Sequence, residues 1–177
     1  MKSIVCLNGG TSLTSYNRLL TKYLAGNYQA VVTWEEPDLL ELPFIDGTGV
    51  NDGNEQLRTF LKQVTEADGI VIATPEYNNG TTASIKNALD WCSYQPYPLK
   101  NKPTMIIGAS VGQLGTVRAQ ENVRAVLRSR SLAPQLVDTP EVLIGNADCK
   151  FDEDGNIMDQ RTKKLLTLSM NALLNLM

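Results

Sequence analysis

The stretch Thr74-Pro-Glu-Tyr-Asn-Asn-Gly-Thr-Thr sets a carboxylate, a phenol and two amides in one short bend, straight after the apolar run Gly69-Ile-Val-Ile-Ala. Groups of that kind either move protons or hydrogen-bond the rim of a polar, planar ligand. A second stretch, NGGTSLTSYN from Asn8 to Asn17, mixes Gly9 and Gly10 with the hydroxyls of Thr11, Ser12, Thr14 and Ser15. Hydroxyls and unbonded N–H groups at the start of a helix form a nest for an anion without any lysine. The pattern matches neither the Walker loop nor the dinucleotide glycine fingerprint, so a single phosphate is expected rather than a pyrophosphate. A plainer alternative stands beside it, in which Ser15 caps a helix and the glycines turn the chain. The third stretch, GASVGQLGT from Gly108 to Thr116, is built of small residues. These either let the backbone approach a flat ligand or make a tight turn after a strand.

Strand and helix patterns alternate along the whole chain and place these three stretches. Strands are expected at Lys2–Leu7, Gln29–Trp34, Gly69–Ala73, Pro103–Ala109 and Leu136–Leu143. Helices are expected at Ser15–Leu24, Asn54–Ala67, Ser84–Trp91, Val117–Arg130 and Asp159–Leu176. Gly69–Ala73 is apolar at every position, the mark of a strand covered by helices on both faces. Repeated βα units demand parallel strands with right-handed crossovers. The expected fold is therefore α/β, a flavodoxin-like, doubly wound, five-stranded parallel sheet of order 2-1-3-4-5, as one domain over residues 1–177. The stretch Glu35 to Asn54 is expected to be a long, partly irregular connection. In such a sheet the three polar stretches share the carboxyl edge, where open α/β sheets hold ligands.

Composition narrows the chemistry. The 177 residues carry a formal charge of −3 and no histidine. Without histidine a Ser-His-Asp or Cys-His mechanism is excluded, and the commonest metal ligand is missing. The redox or group-transfer chemistry is thus expected from a bound cofactor. The charge gives no basic footprint for nucleic acid, and no apolar run is long enough for a bilayer. Three separated cysteines without CxxC spacing fit reduced, buried thiols in a cytoplasmic protein better than disulfides or zinc. Phe151–Asp159 imitates a calcium loop, but Lys150 and Arg161 stand where its terminal ligands belong, so a turn into an acid-started helix is expected. No metal site is expected elsewhere.

PEYNNGTTASIKNALDW closely resembles the PEYN…KNALDW signature of the NADPH-dependent FMN reductases, a flavodoxin-like family that includes quinone, azo-dye and chromate reductases. Ser15-Tyr-Asn-Arg18 is similar to the end of that family's GSxRxxSxNR loop, and GASVGQLGTVRAQ to its GASxGxxGxxRAQ segment. The resemblance runs from the first strand to the last helix. It implies FMN as cofactor, NADPH or NADH as hydride donor and a small-molecule electron acceptor. It implies that Ser15 and Asn17 hold the FMN phosphate together with the loop of Asn8, Gly10 and Ser12. Pro75, Glu76, Tyr77 and Asn78 then face the isoalloxazine, with Ser110 and Gly112 along its other edge.

Ser12 stands where the family commonly has arginine, a loss of a charge-assisted bond worth about 1.5–3 kcal/mol. No side chain is assigned an acid-base role: Glu76 and Tyr77 are expected to shape the site only. Arg118 is either a solvated helix residue or a partner for Glu76 or a nucleotide phosphate. The resemblance further implies a homodimer or homotetramer; Trp91, with Ala88, Leu89 and Cys92, is expected in the core or at a subunit interface, and the aromatic cluster it forms with Tyr94 and Tyr97 is expected to be covered by a second subunit. A flavodoxin-like electron carrier without reductase turnover remains the alternative, separable by whether NADPH bleaches the flavin. A module that has lost FMN is the third, separable by colour.

Overall fold

The structure, a computed structural model, describes residues 1–47 and 53–177. Five parallel strands, β1 (Lys2–Asn8), β2 (Val32–Glu35), β3 (Gly69–Ala73), β4 (Pro103–Ala109) and β5 (Gln135–Ile144), form one sheet in the order β2-β1-β3-β4-β5. Helices α1 (Tyr16–Tyr28), α2 (Glu55–Glu66), α3 (Ala83–Cys92), α4 (Val117–Leu127) and α5 (Gln160–Leu176) connect and close them. This is the doubly wound order expected from the alternation of patterns. No helix among the described residues is long and apolar enough to cross a membrane.

Alternation along the central strands divides the interior into two cores. Val5, Leu7, Ile70, Ile72 and Ile106 face one way, against Leu57 and Phe60 of α2, Ile85 and Leu89 of α3 and Val123 of α4. Ile4, Cys6, Val71, Met105 and Ile107 face the other way, against Leu20 and Leu24 of α1 and Leu166, Met170 and Leu173 of α5. All five residues of β3 are buried, because both of its faces carry helices.

Helix boundaries follow their caps. Asn54, Thr82 and Asp159 each accept a main-chain N–H from the first turn of α2, α3 and α5 through their side chains. Two helix ends differ from the sequence expectation by more than one residue, and one of them shifts the strand that follows. Helix α1 continues past Leu24 to Tyr28, with the Asn27 amide bonded to the Tyr23 carbonyl, so β2 begins at Val32 rather than Gln29. Helix α4 stops at Leu127 instead of Arg130, and the chain turns through Ser129 and Leu132 into Ala133.

The connection after β2 is irregular where described, and residues 48–52 of it lie outside the described residues. Its Pro43 carbonyl accepts bonds from the Trp91 indole at 2.7 Å and the Asn87 amide at 3.0 Å. Trp91 is consequently buried by its own chain, in the core and at 5.8 Å from the Tyr94 ring, which is the first of the two places expected for it. Asp152 accepts the N–H and side-chain amide of Asn156, which fixes the turn before α5.

Candidate active site

The three polar stretches do converge at the carboxyl edge, and direct bonds join them. Gly9 N–H donates to the Ala73 carbonyl at the end of β3, which ties the loop after β1 to the loop after β3. A side chain at Gly9 would strike Thr82 and Ile85, so only glycine lets the first loop lie against the start of α3. Asn17, 2 % exposed, donates its amide to the Ala109 carbonyl at 3.1 Å and accepts the Ala109 N–H at 3.0 Å. Helix α1 is thereby clamped to the end of β4. Asn17, expected at the phosphate, engages both its amide oxygen and one amide N–H with Ala109.

The loop after β1 leaves donors open. Asn8 accepts the Gly10 N–H through Oδ1 and donates through Nδ2 to Thr21 and to Glu36, which holds the loop's base. Burial and the adjacent Glu36 carboxylate push the Cys6 thiol well above its ordinary range, so this thiol stays protonated and inert. Ser12 Oγ contacts Thr14 Oγ1 and accepts the Thr14 N–H, while Ser15 Oγ accepts the Asn17 N–H as the cap of α1. The main-chain N–H groups of Thr11, Ser12, Leu13 and Tyr16 have no protein partner among the described residues. Gly10 sits beneath them, where a methyl group would overlap Ser15 Oγ and crowd Asn8 Oδ1. Four open donors above a glycine floor at a helix N-terminus suit one phosphate.

Charge reaches this loop from a residue outside the expected set. Arg18, in the first turn of α1, donates Nε to the Gly10 carbonyl at 2.7 Å. Its terminal guanidinium nitrogens have no protein partner among the described residues. The signal was present in the sequence, since Arg18 follows Ser15 by three positions and the two must share one helix face.

The loop after β3 is the opposite in kind. Tyr77 and Gly80 exchange two main-chain bonds of 3.0 Å around Asn78 and Asn79, which both have positive φ (50° and 66°). That is a two-residue hairpin turn of the primed type, which explains the paired asparagines. Thr74 is fully buried and bonds through Oγ1 to the Pro75 carbonyl and to Thr81. Glu76 Oε2 accepts the N–H groups of Arg118 and Ala119 at 2.9 and 3.2 Å. Thr116, at the cap position of α4, makes no side-chain cap bond, so Glu76 caps this helix from another loop. Tyr77 stands 54 % exposed beside it.

The loop after β4 is stitched to β5. Ser110 donates Oγ to the Gly115 carbonyl at 2.7 Å and its N–H to the Ile144 carbonyl, and the Gly112 carbonyl accepts from Gly115 and Asn146. Glu76, Ser110 and Gly112 line a shared cleft of about 360 Å³ together with Val111, Leu114 and Arg118. The geometry therefore offers a phosphate nest at one end, a stiff hairpin in the middle and a cleft with small-residue walls at the other end.

Comparison with known proteins agrees with the fold. Residues 2–148 match the model of the NADPH-dependent FMN reductases. The NADH-dependent flavin reductase subunit 2 of Lactobacillus johnsonii is 32 % identical over 95 % of this chain and 93 % of its own length. The 2-hydroxy-1,4-benzoquinone reductase of a Burkholderia species is 34 % identical over 95 % of this chain and 92 % of its own. Among solved structures, FerB, a flavoenzyme NAD(P)H:(acceptor) oxidoreductase from Paracoccus denitrificans, superposes with a TM-score of 0.88 at 25 % identity, covering 99 % of this chain and 96 % of its own. With the fold and these likenesses in agreement, the chain belongs to the NADPH-dependent FMN reductase family.

Proposed function

We propose that residues 1–177 act as one NAD(P)H oxidoreductase unit with FMN laid across the three loops, passing electrons to a quinone, azo compound, free flavin or similar small acceptor. The observation that carries this reading is the set of open N–H groups at Thr11, Ser12, Leu13 and Tyr16 above Gly10. Those donors, with the Ser15 hydroxyl, hold the phosphate. Arg18 supplies the cation that Ser12 does not, and by fixing the Gly10 carbonyl it keeps that oxygen from turning towards an anion. Asn8 and Asn17 position the loop. Pro75, Glu76, Tyr77 and Asn78 form the platform for the ring, and Ser110 and Gly112 its far border. When bound, FMN supplies the two-electron chemistry, taking a hydride from NAD(P)H and giving it to the acceptor. These residues need only orient the donor and acceptor against the ring, because the accompanying proton comes from water in an open cleft.

The exposed side chain of Phe44 supports a homodimer or homotetramer, which light scattering at two concentrations tests directly. Three free cysteines suit a reducing compartment, and the cytoplasm is the location proposed. The functional reading is tested by loading the protein with FMN and recording the visible spectrum without oxygen before and after each nucleotide. Bleaching of the bound flavin by NADH or NADPH is the expected result. A flavin band that persists with both nucleotides would overturn the reductase reading, and equal affinity for FMN and riboflavin would overturn the phosphate nest.

A further inference from the structure

Resting on that reading, we infer that Arg118 is the anion anchor of the acceptor subsite, and that the preferred acceptors are aromatic molecules bearing an acidic group. The cleft beside Glu76, Ser110 and Gly112 has walls of two kinds. Val111 and Leu114 present apolar side chains that are 63 % and 62 % exposed, an unfavourable arrangement in water that an aromatic face would cover. Arg118 stands in the same wall with its side chain 57 % exposed.

Among the described residues its one ion-pair partner is Glu76, whose Oε1 lies 3.5 Å from Nη1. That contact is long for a charge-assisted bond, and Glu76 Oε2 already accepts two main-chain N–H groups at the start of α4. The carboxylate is thus compensated three times, by two amides and by the guanidinium, and the helix N-terminus adds positive potential of its own. The guanidinium keeps unbonded donors in a fork that matches a carboxylate, sulfonate or enolate. An apolar wall next to an under-used guanidinium recognises an aromatic anion better than a neutral ring or a bare inorganic anion.

The experiment compares two naphthoquinones, lawsone, ionised at neutral pH, and the neutral menadione, with the FMN-loaded wild type, Arg118→Gln and Arg118→Lys. Retention of flavin, seen in the visible spectrum, first tests the proposed function on its own. Given bound flavin, Arg118→Gln should raise KM for lawsone relative to menadione about tenfold, with part of the preference restored by lysine. A binding measurement independent of turnover uses naphthoate and its uncharged amide, titrated against the absorbance of the bound flavin. The wild type should bind the acid more tightly, and Arg118→Gln should bind the two alike. Unchanged ratios in both measurements would overturn the inference. A change confined to KM for NADH or NADPH would also overturn it, by assigning Arg118 to the phosphates of the nucleotide.

Discussion

The loop after β1 and the loop after β3 end at the same sheet edge, yet they use their hydrogen bonds in opposite ways. The first leaves four consecutive or neighbouring N–H groups open at Thr11, Ser12, Leu13 and Tyr16. The second closes on itself, with Tyr77 bonded to Gly80 in both directions and Glu76 bonded twice to α4. On the proposed function, the contrast follows from what each loop must recognise. A phosphate is bound by donors that the fold has declined to satisfy, so its loop must be locally incomplete. A flat ring offers few directional groups, so its platform gains more from stiffness than from free donors.

The sharpest way to break this contrast is to fill the nest. Gly10→Ala would put a methyl group against Ser15 Oγ and Asn8 Oδ1 and should weaken FMN binding about a hundredfold, as overpacking costs of about 1–3 kcal/mol allow. Riboflavin, which lacks the phosphate, should be affected far less, and fluorescence titration with both ligands measures the difference. Removing the cation is the next test. Arg18→Gln should cost FMN affinity about tenfold or more, the value of a charge-assisted bond of about 1.5–3 kcal/mol, and the loss should shrink as salt is added.

Stiffness in the second loop is probed at Glu76. Glu76→Ala uncaps α4 and should lower stability by about 1 kcal/mol in denaturant unfolding, with a slower flavin reduction at saturating FMN. Equal stability of this variant would show that α4 does not depend on the ring-side loop. The smallest effect is expected at the exposed phenol. Tyr77→Phe keeps the ring and should leave the anaerobic rate of flavin reduction within about tenfold of the parent, a barrier change of no more than about 1.4 kcal/mol. A collapse beyond about a hundredfold in stopped flow would mean that the hydroxyl takes part in the chemistry.

Much of this was visible in the sequence because it depends on local pattern. The unbroken apolar run of β3 requires two covered faces, and the small-residue and hydroxyl stretches fall after strands, so the sheet order and the site edge follow. What was not legible depends on contacts across long sequence separation. Nothing near Asn17 in the chain signals that its amide meets Ala109, and nothing near Glu76 signals that it caps a helix more than forty residues later. Trp91 could be placed only in the core or at an interface, without a choice between them, because its cover, Pro43, comes from an irregular connection without a hydrophobic period. The end of α1 was misplaced because Gly26 and Asn27 weaken helix propensity, and the contact of the Asn27 amide with Tyr23 outweighs them.

The pair of bonds between Asn17 and Ala109 turns the site into a ruler. It joins the helix that follows the open N–H groups to the last residue of the strand that leads into the Ser110–Gly115 loop, which on the proposed function are the phosphate and ring ends of the site, in a place shielded from water. The span between the two ends is thereby set by the sheet and not by the loops, and flavin analogues with a longer or shorter sugar chain cannot be met by sliding one end. Release of the cofactor also becomes an opening of the sheet's end as one unit, not the wagging of a single loop. The N–H of Ala109, at the frayed end of a strand by position, should exchange its hydrogen as slowly as the centre of the sheet, and its exchange rate reports whether the ruler is closed.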